Sequence, residues 1–120
     1  MQEADFKAKK IKKWKAEEAY DKVFCIETEE TLPGFPDTMA RVKSKVLPDI
    51  WHFYEFKVSD KKGVIKFERS QPMFYRKHPD LGVRVIALDN RTGAEVLFHV
   101  EDLFDIESKY YMSMTLEVQL

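Results

Sequence analysis

Cysteine is almost absent: Cys25 stands alone, so no internal disulfide can hold the fold. No stretch approaches the roughly 18 apolar residues that a membrane-spanning helix needs. The N-terminus is charged and carries no apolar signal core, so export through a cleaved signal is not expected and a cytoplasmic setting is. Glycine is scarce and scattered, at Gly34, Gly63, Gly82 and Gly93, which leaves no glycine-rich loop to cradle a phosphate. Net charge is lacking as well. Twenty basic residues against 21 acidic ones leave −1, and so no global field to draw nucleic acid or an anionic membrane. No internal repeat is visible.

What is present suits one domain spanning residues 1–120, with a basic helix over 1–22 and a sheet over 23–120. A chain of this size buries roughly two-thirds of its unfolded surface, enough for one core without metal or disulfide. Charge is local rather than global. Lys7, Lys9, Lys10, Lys12, Lys13 and Lys15 form a block with no acid between them. The last segment carries Glu95, Glu101, Asp102, Asp105, Glu107 and Glu117 against Lys109, so the two ends can attract each other.

The Ala-, Lys- and Glu-rich stretch 3–21 predicts a helix, with Glu3 and Asp5 at its positive end. Its apolar stripe reads as Ala4, Ala8, Ile11, Trp14 and Ala19, too thin for deep burial. Val23–Ile26 reads as a strand and 32–36 as a loop. Residues 37–46 read as a helix capped by Asp37, or alternatively as a lysine-guarded edge strand. Ile50–Ser59 is a strand with apolar residues on both faces, as in a central strand covered twice. Asp60–Gly63 turns it into a hairpin partner at 64–69, and 71–81, with two prolines, reads as a loop. Strands at 82–88 and 94–100 flank Asp89–Gly93, the strongest hairpin signal. One helical turn follows at 101–108. In the final strand Tyr110, Met112, Met114, Leu116, Val118 and Leu120 face one way. The expected fold is α+β: an N-terminal helix packed on an antiparallel sheet of five or six strands. A curved cystatin- or NTF2-like sheet suits this order, with a small SH3-like barrel as the alternative.

Four constellations can carry function. Pro36-Asp37 precedes Glu55-Phe56-Lys57 at a gap that fits the PD-(D/E)xK pattern of metal-dependent nucleases. That chemistry needs two carboxylates for a divalent cation and a lysine near the attacking water. Glu55 and Lys57 share one strand face, and Gln71 and Tyr75 lie downstream. The expected antiparallel order, however, lacks the helix that this pattern places after the lysine strand, and Asp37 has a simpler role as a cap. Second, His52, His78 and His99 have no ligand spacing, although His52 and His99 can meet if their strands are neighbours. Third, Lys9, Lys10, Lys12, Lys13 and Trp14, with Arg76 and Lys77, mix cations with aromatics as in a single-strand nucleic-acid surface. Fourth, Trp51, Phe74, Tyr75, Tyr110, Tyr111 and Met112 are potential anchors of a protein interface. Cys25, within Val23-Phe24-Cys25-Ile26, reads as a buried apolar residue rather than a nucleophile.

These features favour a non-enzymatic binding or accessory module that works through protein contacts. It is expected to form a homodimer, because one thin helix cannot cover two apolar sheet faces. The alternative is nucleic-acid binding through the Lys7–Lys15 helix and the 73–78 loop. The second alternative is a metal-dependent nuclease using Asp37, Glu55 and Lys57. The binding readings imply no cofactor.

Overall fold

Helix α1, Glu3–Ala16, begins with acids in its first turn and ends with Lys13 and Lys15 in its last, both favourable to the helix dipole. The structure, a computed structural model, describes residues 1–17, 20–25, 36–42, 50–103 and 117–120. The buried side of α1 is Phe6, Ile11 and Trp14, whereas Ala4 and Ala8 are exposed. Ile11 and Trp14 of the expected stripe are buried, Ala4 and Ala8 are not, and Phe6 joins in their place, so three large side chains do the burying. They pack on Val23, Ala40, Tyr54, Phe56, Ile86 and Leu88. Trp14 lies 4.8 Å from the Tyr20 ring and 4.9 Å from that of Tyr54. Trp14→Ala is expected to cost about 3–5 kcal/mol, as for other large buried aromatics, read as a lower midpoint in urea unfolding.

The main sheet contains β1 (Tyr20–Cys25), β2 (Thr38–Val42), β3 (Ile50–Val58), β5 (Arg84–Leu88) and β6 (Glu95–His99), in the order β1-β2-β3-β5-β6. Neighbours run antiparallel except β3 and β5, which are parallel. The sheet is thus mixed, not antiparallel throughout, and the described strands close no barrel. A parallel pair needs a crossover, and the segment between β3 and β5 supplies one. It holds β4 (Val64–Lys66), α2 (Ser70–Lys77) and a 3-10 turn at Pro79–Leu81.

That helix occupies part of the expected 71–81 loop. Pro72 sits in the first turn of α2, where backbone N–H groups have no intrahelical acceptor, so proline costs little there. Pro79 lies past the end of α2 and opens the 3-10 turn. Residues 38–42 are likewise strand, not helix. Asp37 precedes β2 rather than capping a helix, and β2 lies inside the sheet, hydrogen-bonded on both sides. The turn after β3 forms, with Gly63 at φ 79° and its N–H donating to the Asp60 carbonyl. Yet β4 leaves β3 and pairs with β7 (Glu117–Gln119) as a second, two-stranded sheet. The β5–β6 hairpin forms as expected, with Gly93 at φ 78° and Asp89 accepting from the Arg91 backbone.

Strand β3 is covered on both faces. Tyr54 and Phe56 meet α1, while Phe53 packs against a second cluster of Ile65, Phe67, Phe74, Tyr75, Val83, Val85, Ala87 and Val100. α2 and the β4–β7 pair contribute to that second cluster, joined by Val118 and Leu120 at the chain end. Part of the second apolar face is therefore filled by this chain itself, while Phe24 and Trp51 stay exposed on the same face. The short helix α3, Val100–Leu103, matches the beginning of the expected turn. Tyr110, Tyr111, Met112 and Met114 lie outside the described residues, as does the Cys25 side chain.

Candidate metal centre and active site

Strand alternation sets the site. On β3, Trp51, Phe53, Glu55 and Lys57 share the face turned away from α1. Antiparallel pairing of Thr38 with Tyr54 brings Asp37, one residue earlier, beside Glu55 on that same face. The Asp37 backbone N–H donates to the Glu55 carboxyl. From the start of α1, Glu3 completes the group: ligand oxygens of Glu3, Asp37 and Glu55 all lie within 4.8 Å of one another. Glu55 is buried, Asp37 half-buried and Glu3 exposed, so the cluster opens from the interior onto the surface.

Lys57 is buried on the same face as Glu55, with its Nζ 3.9 Å from Glu55 Oε1. The first turn of α2 locks the pair. Lys57 Nζ donates to Gln71 Oε1 at 2.9 Å, and Gln71 Nε2 donates to Glu55 Oε1 at 2.9 Å. Gln71 Oε1 also accepts the Glu68 backbone N–H, which fixes the amide orientation. Tyr75, one turn along α2, is 1% exposed and anchors the helix in the core. Lys7 reaches from α1 to within 3.8 Å of Asp37 Oδ2, and Thr38 Oγ1 donates to Asp37 Oδ1 at 2.9 Å.

These carboxyl groups resist ionisation. Burial, reinforced by Asp37 and Glu3, pushes Glu55 up to about 8 against the pull of Lys57. Burial likewise raises Asp37, despite Lys7, and raises Glu3. Three converging carboxyls whose negative charge is under-compensated make a site that a cation relieves. All three offer oxygen, the ligand type of hard divalent ions such as Mg²⁺ and Mn²⁺. The donor set therefore fits such an ion, with Glu3, Asp37 and Glu55 as the residues that would hold it.

The other sequence candidates separate. Phe74 and Tyr75, expected as surface anchors, are core residues of α2, and Trp51 alone of the described anchors is exposed. Trp14 is buried against the sheet, which removes it as a stacking residue. Lys10 is 3.0 Å from Glu95, a contact between the two oppositely charged ends of the chain. Lys9, Lys12 and Lys13 are exposed on α1, on the sheet face opposite Glu55. Arg76 and Lys77 are exposed at the end of α2, in the same layer as Gln71. His52 and His99 lie on β3 and β6, which are not neighbours, and burial lowers the His52 pKa, with Arg84 and then His99 adding to it.

The nuclease-like reading names Asp37, Glu55 and Lys57, and the fold brings these together. Glu3 escapes a sequence reading because an acid in a first helical turn already has a local explanation. Gln71 is visible, but only on a helix does its four-residue spacing from Tyr75 become one turn. No protein-family model matches the chain, and no curated protein or solved structure shows significant similarity to it.

Proposed function

We propose that this protein is a metal-dependent nuclease that hydrolyses phosphodiester bonds. The reading is carried by one observation. Glu55 and Lys57 are buried side by side on one face of β3, with Asp37 beside them from β2, Glu3 from α1 and Gln71 bridging from α2. The helix that the PD-(D/E)xK pattern wants after the lysine strand, missing from the expected antiparallel order, is α2. It supports this reading over a purely structural ion pair, because Gln71 holds the lysine and the glutamate in a fixed relation at an open acidic site.

A divalent cation supplies charge stabilisation at the scissile phosphoryl oxygens and a more acidic bound water. The chain supplies the rest. The carboxyls of Glu3, Asp37 and Glu55 would hold that cation at the open side of the site. Lys57 has three N–H donors and, among the described residues, gives one to Gln71, so its ammonium can also hold an attacking water or a phosphate oxygen as charge develops. Gln71, by accepting from Lys57 and donating to Glu55, keeps that ammonium from rotating away.

The test is incubation with single-stranded and duplex DNA and RNA in Mg²⁺, in Mn²⁺ and in EDTA. Cleavage is expected with metal only, and Glu55→Gln is expected to abolish it. Persistence of any cleavage in Glu55→Gln, or no cleavage in either metal on every substrate, overturns the reading.

A further inference from the structure

Strand pairing carries the active-site face onward, away from the carboxylates. Lys22, Arg41 and Trp51 lie in register across β1, β2 and β3, and Phe24, Met39 and Phe53 form the next row. Period-two alternation puts both rows on the face of Glu55 and Lys57. At this end of the sheet Phe24 is 48% exposed and Trp51 37% exposed. Their rings stack with centroids 5.7 Å apart and planes 15° apart. The Arg41 guanidinium lies 5.6 Å from the Trp51 ring, and Lys22 is exposed beside it. Stacked aromatics flanked by cations, on a face that continues into a metal-ligand cluster, match the chemistry of bases and phosphates together.

We infer that Phe24, Arg41 and Trp51 form a stacking platform for a single-stranded polynucleotide whose backbone follows the half-exposed β2 side of this face, past Met39, to Asp37 and Glu3 at the open side of the carboxyl cluster. The inference rests on the nuclease reading for what the strand meets at its far end. Trp51 and Glu55 are four strand residues apart, about 13 Å. At the ~3.4 Å rise of a stacked strand this is about four nucleotides, and fewer if the strand is extended. Duplex DNA hides its base faces within the stack, so the platform selects unpaired strands or ends. Arg41 and Lys22 supply the positive charge that an apolar protein partner would not require, and charge complementarity favours the polynucleotide.

The probes are fluorescein-labelled oligo(dT) and a labelled duplex of equal length, with anisotropy read in Ca²⁺ and cleavage read in Mn²⁺. Phe24→Ala/Trp51→Ala is expected to weaken oligo(dT) binding about tenfold or more, since stacking is worth roughly 1–3 kcal/mol per base. Trp51→Phe should keep most of the affinity and Trp51→Leu should lose it, which separates stacking from apolar contact. Both positions are exposed, and an unchanged unfolding midpoint checks that the variants fold. Equal binding of oligo(dT) by the wild type and the double variant overturns the platform, as does tighter binding of duplex than of oligo(dT). If the wild type cleaves while the double variant keeps its KM, the nuclease stands and the platform falls. If oligo(dT) binding depends on Trp51 but neither metal supports cleavage, the platform stands and the nuclease reading falls.

Discussion

Lys57→Met is expected to reduce cleavage on the order of a hundred- to a thousand-fold while leaving metal binding in place. The size follows from burial. Lys57 is 6% exposed, so bulk water replaces little of its ammonium once it is gone, and a charge aimed at a developing phosphoryl charge in a largely buried site carries a large share of the barrier. Methionine keeps most of the side-chain volume beside Phe67, over which Lys57 Nζ lies at 5.0 Å. Lys57 is not among the oxygen donors, so Mn²⁺ should still stabilise the variant thermally, whereas Glu55→Gln should lose both the stabilisation and the cleavage. Gln71→Ala is expected to be milder, about ten- to a hundred-fold, because the residue only positions the other two. The measurement is single-turnover cleavage alongside thermal unfolding with and without Mn²⁺. Wild-type cleavage by Lys57→Met would remove the lysine from the mechanism.

The second large effect is on stability. Glu55 titrates near 8 in the folded protein, against about 4.5 for an ordinary glutamate. Between these values the folded chain binds the extra proton, so stability is fullest below the ordinary value and falls as pH rises through about 8. Asp37 and Glu3 are raised in the same direction and add to this trend. The loss for a buried group displaced this far is on the order of a few kcal/mol. Two consequences are expected in urea unfolding with EDTA. The wild type is more stable at pH 6 than at pH 8, and Glu55→Gln, which carries no charge to bury, loses much of that slope and is the more stable protein at pH 8. Adding Mn²⁺ or Mg²⁺ at pH 8 reverses the order. At a hundred times its dissociation constant, a metal bound only by the folded state adds about 2.7 kcal/mol. For a chain of this size that is a rise on the order of 10 °C in Tm. A flat pH profile in EDTA, or a wild type indifferent to both metals, would show that the three carboxyls do not act as one cation site.

Legibility differed from element to element for identifiable reasons. The β5–β6 hairpin and β3 were plain because their signals are local: a glycine needing positive φ at position 93, and a nine-residue strand with apolar side chains on both faces. α1 was plain at its start but not at its end, since the expected helix over 3–21 stops at Ala16 and β1 begins at Tyr20, and its buried face was only partly legible. Phe6 looks isolated in sequence, and only Phe56, 5.8 Å away across the interface, explains its burial. β2 was ambiguous because Thr38–Val42 is short and its two hydrogen-bonded neighbours come from elsewhere in the chain. α2 was hidden by prolines that sit where a helix tolerates them.

The sequence by itself determined the α+β class, the strand that presents Glu55 and Lys57 on one face, the turns, and the lack of any disulfide framework. These follow from periods of two and 3.6 residues and from the conformational limits of single residues. Tertiary structure alone decided that β3 and β5 run parallel, that α2 lies over the second face, and that Glu3, Asp37, Glu55, Lys57 and Gln71 meet. Such meetings join residues far apart in the chain, and they form because burying Phe6, Trp14, Phe74 and Tyr75 on opposite faces of one sheet fixes where each helix begins. Both helices then start at the same end of β3, and their first turns deliver Glu3 and Gln71 to the carboxyl and the ammonium that the strand already held side by side.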